Sequence, residues 1–278
     1  MIQRDYPYMY ARVSAKKAKL LDEQDYEQLL KMEPNEIARK LGEGEYKQDI
    51  DELGSKHDGV ELVELALMRN VSRMMGDLLD ISPESLDHVI ESYLRRFDIL
   101  SLKRLLRWKK GKGEQEDLQD MLYPVGSYKV EELEELSERS FGKILSSIEF
   151  PDAKVDYQSF IEDGDNIKKI ERDLDRAYYT ELRQVADSLN NRWFHSFVEK
   201  EIEYEDLKIS LRLKKYGLER KEIEEWLIGD EPTGCVERVL KSRDLEEAIE
   251  EVEDCEDIIF ENGKNIEEVE HTLEVERY

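Results

Sequence analysis

Two cysteines, six prolines and fourteen glycines are all that 278 residues provide of the chemistry that staples or turns a chain. That scarcity excludes a disulfide scaffold and argues against an all-β fold, which needs frequent turn residues. Cys235 and Cys255 make no C-x-x-C pair and have no histidine at zinc spacing. They read as reduced, buried thiols of a cytosolic protein. No apolar run approaches the ~20 residues of a membrane span. The opening residues, Met1 to Tyr6, have no apolar core of a signal peptide, so a soluble chain is expected. G-x-x-x-x-G-K-[ST], G-x-G-x-x-G and G-x-S-x-G are all missing, which rules out nucleotide hydrolysis by a P-loop mechanism. Positive charge is also short. Forty-two Lys and Arg face 68 Asp and Glu, a net charge of −26 that repels nucleic acid and anionic headgroups.

What the chain has in quantity is helical periodicity. Asp80-Ile81-Ser82-Pro83-Glu84 reads as a helix start, with Ser82 as cap, Pro83 in the first turn, and Ile81 and Leu86 as a hydrophobic staple. Leu86, Val89, Ile90, Tyr93, Leu94, Phe97 and Leu100 then predict one buried stripe. Val60, Val63, Leu67, Val71, Met74, Met75 and Leu78 predict another, interrupted by Asn70 and Arg73. Those two are expected to form a buried polar pair that fixes register. Leu174, Tyr178, Leu182, Val185, Leu189, Trp193 and Phe197 predict a long amphipathic helix in a region, 152–231, without proline. Gly217 and Gly229 are candidate helix ends. Strand alternation is not sustained anywhere, so the fold class is all-α.

One stretch occurs twice. Leu102-Lys103-Arg104-Leu105-Leu106-Arg107-Trp108-Lys109-Lys110 returns 105 positions later as Leu207-Lys208-Ile209-Ser210-Leu211-Arg212-Leu213-Lys214-Lys215, with six identities. Pro124-Val125-Gly126 returns as Pro232-Thr233-Gly234, and Leu136-x-x-Arg139 as Leu240-x-x-Arg243. A repeat of this length is domain-sized. The chain is expected to divide into helical units at 1–112, 113–217 and 218–278, the count of three being what the family resemblance described below implies. Residues 244–278 carry fifteen acidic and two basic side chains on helical apolar spacing (Leu245, Ile249, Val252; Ile266, Val269, Leu273). The pattern from Ile266 to Tyr278 shows no Gly, Asn or Pro exit signal, so the third unit is expected to be incomplete.

These residues carry a resemblance. Tyr8-Met9-Tyr10-Ala11-Arg12-Val13 with Lys16, Lys19, Leu20 and Leu21 is similar to the opening of the C subunit of archaeal A-type ATP synthases, a family related to the d subunit of V-type ATPases. Tyr26-x-x-Leu29-Leu30, Glu36-Ile37 with Leu41, Asn70-x-x-Arg73 and the two Pro-x-Gly turns fall in the family's order. Phe97-Asp98-Ile99-Leu100-Ser101-Leu102-Lys103-x-Leu105-Leu106-Arg107 resembles its Asp-x-x-Asn-x-Lys-x-Leu-Leu-Arg segment, and Glu203-x-x-Asp206-Leu207-Lys208-x-x-Leu211-Arg212 its second copy. The family's Asn is Ser101 in one copy and Asp206 in the other. The resemblance implies a pseudo-threefold helical funnel that is not an enzyme and needs no cofactor. It would act as a rotor adaptor between central-stalk subunits D and F and the proteolipid (c/K) ring, peripheral on the cytoplasmic side of the membrane. Proton or sodium translocation would be coupled to ATP synthesis through it.

The residues expected to touch partners are Asp98, Lys103, Arg107, Glu203, Asp206, Lys208 and Arg212. Arg107 and Arg212 lead, because the repeat keeps both and a guanidinium fork suits a carboxylate. Asp98 with Lys103, and Glu203 with Lys208, are also candidates for repeat-conserving ion pairs across a bend. The basic run from Arg95 to Lys112, interleaved with Trp108, reads as a solvated helix end, a docking surface or, against the overall charge, a nucleic-acid site. Glu268-x-x-His271 is half of a di-iron carboxylate signature and motivates the alternative of a helical metal enzyme. A generic helical scaffold is the remaining alternative. Tyr6, Tyr8 and Tyr10 suit either an intramolecular anchor or an interface.

Overall fold

The computed structural model describes residues 6–111, 126, 128–146, 167–189, 191–232, 234–256 and, near the C-terminus, 266, 269, 270, 272 and 273. Among them are thirteen helices and no strand. They fall into two compact units. The first holds α1 (Tyr6–Lys17), α2 (Glu23–Leu29), α3 (Pro34–Leu41), α4 (Lys47–Leu53), α5 (Gly59–Ile81), α6 (Glu84–Gly111), α7 (Val130–Glu138) and α8 (Phe141–Ser146). The second holds α9 (Ile167–Ser188), α10 (Arg192–Lys215), α11 (Arg220–Glu224), α12 (Gly234–Lys241) and α13 (Leu245–Glu256).

In the first unit, α1, α3, α4 and α6 pack on α5, and α7 and α8 pack on α6. The entry to α5 is fixed from α3, where the Asn35 side chain accepts the Gly59 N–H at 2.8 Å. Gly59 has φ +57°, a left-handed conformation that favours glycine. The buried line of α5 is Leu62, Ala66 and Asn70. Periodicity placed it elsewhere, through Val60 and Val63, yet Val60 is exposed. The reason is Asp49 of α4, which is buried. Its carboxylate accepts from Asn70 Nδ2 at 3.3 Å and from Arg73 Nη2 at 2.9 Å. Both side chains also donate to the Glu45 carbonyl. The polar pair is therefore one half of a cross-helix network that rotates α5 onto α3 and α4.

Ser82 departs from its expected capping role. Its hydroxyl donates to the Leu79 carbonyl and the Asp87 carboxylate, because the helix starts one residue beyond Pro83 and the buried serine faces inward. The α6 stripe also turns. Leu94, Asp98, Ile99, Ser101, Leu102, Leu105 and Leu106 are buried, while Leu100 is exposed.

In the second unit, α9, α11, α12 and α13 pack on α10. The single long helix expected from Leu174 to Phe197 is two helices. Asn191 ends the run and caps α10, its side chain accepting from the N–H groups of Trp193 and Phe194. Trp193 is 73% exposed as a result. Gly217 does end α10, at φ +76°. Its N–H donates to the Lys214 carbonyl, and the Leu218 N–H donates to the Leu213 carbonyl, the pair of bonds that closes a Schellman motif. Leu207, Leu211, Ile223, Val236, Val239, Ile249 and Val252 form the centre of the core. Ile266, Val269 and Leu273 join it, as their spacing predicted.

Asp49→Ala should leave Arg73 and Asn70 without their shared carboxylate, only the Glu45 carbonyl remaining common to both, and lower stability by about 2–4 kcal/mol. Urea unfolding of the variant tests this; a loss below about 0.5 kcal/mol would mean that the network does not set the α5 register.

Candidate functional site

The repeat seen in the sequence is also a repeat of contacts. Asp98 is buried, and its Oδ1 accepts the Tyr128 N–H at 3.1 Å, just ahead of α7. Eleven residues along the same helix, Lys109 Nζ donates to the Ser137 carbonyl at 2.5 Å, near the end of α7. In the second unit Glu203 Oε1 accepts the Cys235 N–H at 3.3 Å, in the first turn of α12. Eleven residues on, Lys214 Nζ donates to the Ser242 carbonyl at 2.6 Å, just past the end of α12. Eleven residues are about three helical turns, so acid and lysine share one face of the long helix. The short helix is held by both ends, lies along the long one and runs the same way. An anion at its start and a cation at its end both suit its dipole. Ser137 and Ser242 close the matching corners, each hydroxyl donating at 2.6 Å to the carbonyl three residues earlier.

Glycine makes the carboxylate approach feasible. A Cβ on Gly126 would fall inside the van der Waals sphere of Asp98 Oδ1, and one on Gly234 would lie 2.8 Å from Glu203 Oε1. Gly234 also has φ +54°. Gly126 and Gly234, the glycines of the two Pro-x-Gly motifs, are therefore the seats of the two carboxylates. The second lysine enters its corner at some cost: burial pushes the Lys214 ammonium below its ordinary pKa, against the pull of Glu219, Glu247 and Asp244.

Asp206 does different work. It is buried on α10 and grips the loop after α11. Oδ1 accepts the Ile228 N–H at 2.6 Å and Oδ2 the Gly229 N–H at 3.0 Å. Two arginines of α9 hold the same loop by its carbonyls. Arg172 and Arg176 donate to Glu225, and Arg176 Nε donates to Leu227 at 2.6 Å. The Arg172 guanidinium also lies 5.5 Å from the Trp226 ring centroid. Gly229, expected as a helix end, instead admits a carboxylate oxygen 2.9 Å from where its Cβ would be. Burial pushes the Asp206 carboxyl up to about 6, although the two N–H bonds and Arg176 favour its charged form.

The remaining expected residues separate. Lys208 is buried and pairs with Glu205 at 2.9 Å. Glu203 meets Lys200 at 3.5 Å in addition to its backbone contact. Residues 98–103 and 203–208 each lie within one continuous helix. Arg212 makes a bidentate fork on Glu270, at 2.5 and 2.8 Å. Arg107, its repeat equivalent, is exposed on α6. The Glu45–Asp49–Arg73 network, the α9 arginines and the α10 cap at Asn191 escaped sequence reasoning. Lys109 and Lys214 were visible as identities, and their eleven-residue distance from an acid was the signal. Among the described residues no group of His, Cys, Asp and Glu could hold a metal ion. Glu268 and His271 lie outside the described residues.

An all-helical scaffold built on a repeated, doubly stapled helix pair is the class of protein that this arrangement defines. The chain belongs to the ATP synthase (C/AC39) subunit family, whose profile matches residues 9–277. It is similar to the A-type ATP synthase C subunit of Methanococcoides burtonii, with 36% identity over 81% of this chain and 63% of the relative. The corresponding protein of Methanosarcina acetivorans is 36% identical over 78% of this chain and 61% of the relative. That of Archaeoglobus fulgidus is 32% identical over 89% and 73%. The chain thus spans a little under two thirds of the length of the two methanogen relatives.

Two outcomes follow from the geometry. Gly234→Ala should lower stability by about 1–3 kcal/mol through both the left-handed backbone and the displaced Glu203, while Gly76→Ala, with open space around its Cα, should not. Chemical denaturation of the two variants makes the comparison. Asp206 gives the second. A carboxyl with a higher pKa folded than unfolded stabilises the fold below its unfolded value of 3.8, and that contribution disappears as pH rises through about 6. The stability of wild type relative to Asp206→Asn should therefore fall by roughly 3 kcal/mol from acid to neutral pH. A difference that is flat with pH overturns this.

Proposed function

We propose that this chain is a non-catalytic adaptor in the rotor of an A-type ATP synthase. Its partners are central-stalk subunits D and F on one side and the proteolipid (c/K) ring on the other. It sits at the cytoplasmic face of the membrane and reaches the bilayer only through the ring. The observation that carries this reading is the family match along residues 9–277, with A-type ATP synthase relatives at 36% identity. Two further features support it. Torque transmission needs stiffness, and the two stapled helix pairs fix short helices to long ones at both ends. No helix among the described residues is long and apolar enough to cross a membrane.

Within this reading the expected contact residues divide by role. Asp98, Glu203 and Asp206 shape the units from within, as does Lys208. Arg107 and Arg212 are exposed and repeat-equivalent, and Arg212, which forks onto Glu270 within the chain, would have to exchange that carboxylate for one of a partner.

Calorimetry against the purified D–F heterodimer tests the proposal, with the Archaeoglobus fulgidus relative as the reference. Micromolar or tighter binding without nucleotide is expected, weakening with salt if Arg107 and Arg212 contribute, since exposed charges are screened over about 8 Å at physiological ionic strength. Binding by the reference and none by this chain overturns it.

A further inference from the structure

The two cysteines, twenty positions apart in the sequence, lie on the two helices of one hairpin and border the same core cluster. Cys235 lies in the first turn of α12 and Cys255 in the last turn of α13. These two helices are the arms of one hairpin and pack on each other. Cys235 is buried, and Cys255 packs against the same core cluster while keeping partial solvent access. The Cys235 thiol donates to the Glu251 carbonyl at 3.7 Å. In the helical ladder of α13 that carbonyl is also the acceptor of the Cys255 N–H, so a single carbonyl oxygen lies between the Cys235 sulfur and the Cys255 backbone. Neither thiol is in a disulfide. Arg238, one turn after Cys235 on α12, reaches across to the same place. Its guanidinium holds Glu251 at 2.6 Å and approaches Asp254 at 3.7 Å.

We propose that Cys235 and Cys255 are a redox pair, able to form an intramolecular disulfide that locks α12 to α13. The oxidant class is a hydroperoxide. With hydrogen peroxide, the Cys255 sulfur attacks one peroxide oxygen, the O–O bond breaks, and the other oxygen departs as water with the Cys255 thiol proton, leaving Cys255 as a sulfenic acid. The Cys235 sulfur then attacks the Cys255 sulfur. The S–O bond breaks, and the hydroxide leaves with the Cys235 proton as a second water. Two thiols are oxidised and one peroxide is reduced. Cys255 is the attacking residue because it has solvent access; Cys235 is the resolving residue because it is buried. The lock would freeze the hairpin whose first turn Glu203 already holds.

Hydrogen peroxide is the probe, applied to the folded chain with dimedone present to trap sulfenic acid. Intact mass should fall by the two thiol hydrogens, tandem mass spectrometry should place the bond between Cys235 and Cys255, and Tm should rise on oxidation and return with dithiothreitol. Cys235→Ala, a substitution of similar size in the apolar core, should instead accumulate the dimedone adduct on Cys255. Circular dichroism establishes that this variant is folded. Dimedone adducts or higher oxides on Cys255 of the wild type without a disulfide, disulfide-linked dimers, or thiols that survive peroxide unchanged would each overturn the pair.

Discussion

Everything else in these units depends on a carboxylate that leaves the surface of a long helix to hold the backbone at the start of a short one. Asp98 and Glu203 do this at equivalent points. A buried carboxylate is costly unless its oxygens are satisfied, and a helix start offers N–H groups with no partner of their own. Each group cancels the other's cost. Because the acid sits three turns from a lysine that holds the far end, the short helix has its direction, its position along the axis and its rotation fixed together. A hydrophobic contact alone would leave the last two free, since dispersion forces are indifferent to register.

Asp206 extends the same logic from helix ends to a loop. The loop at 225–229 has neither a helical nor a sheet ladder to satisfy its backbone. The Ile228 and Gly229 N–H groups go to one carboxylate, and the Glu225 and Leu227 carbonyls to two guanidiniums. The arrangement is ionic, yet almost every bond goes to the main chain. It is therefore a device of shape as much as of stability, consistent with a part that must hold form under load. The acidic character of the chain gains a partial explanation here: Asp49, Asp98, Glu203 and Asp206 all point inward to donors. The exposed acids give the surface its negative sign.

Much of this was legible in advance. The apolar spacing of Ile249, Val252, Ile266, Val269 and Leu273 placed them in one core, where they are. The repeat identified the long helices α6 and α10 and their turns, and the order of motifs identified the family. Failures came where polar groups set the geometry. Of the stripe from Val60 to Leu78, only Val60 is exposed and the rest are half-buried, while the fully buried line beside it runs through Leu62, Ala66 and Asn70, where the Asp49 network meets the helix. Leu189, Trp193 and Phe197 continued a helical pattern across a chain reversal that Asn191 commands. Gly229 had the composition of a helix end, yet its lack of a side chain serves a carboxylate twenty-three residues away.

The sequence by itself determined the helical class, the duplication and the family, because these rest on local periodicity and on identities that survive any arrangement in space. Only the tertiary structure decided which helix face is buried, which N–H each acid accepts from, and that Arg212 turns to Glu270 while Lys214 turns to Ser242. Those outcomes depend on which unsatisfied backbone groups arrive beside which side chains. Partners separated by roughly 20 to 60 positions in the chain leave no periodic trace of that meeting.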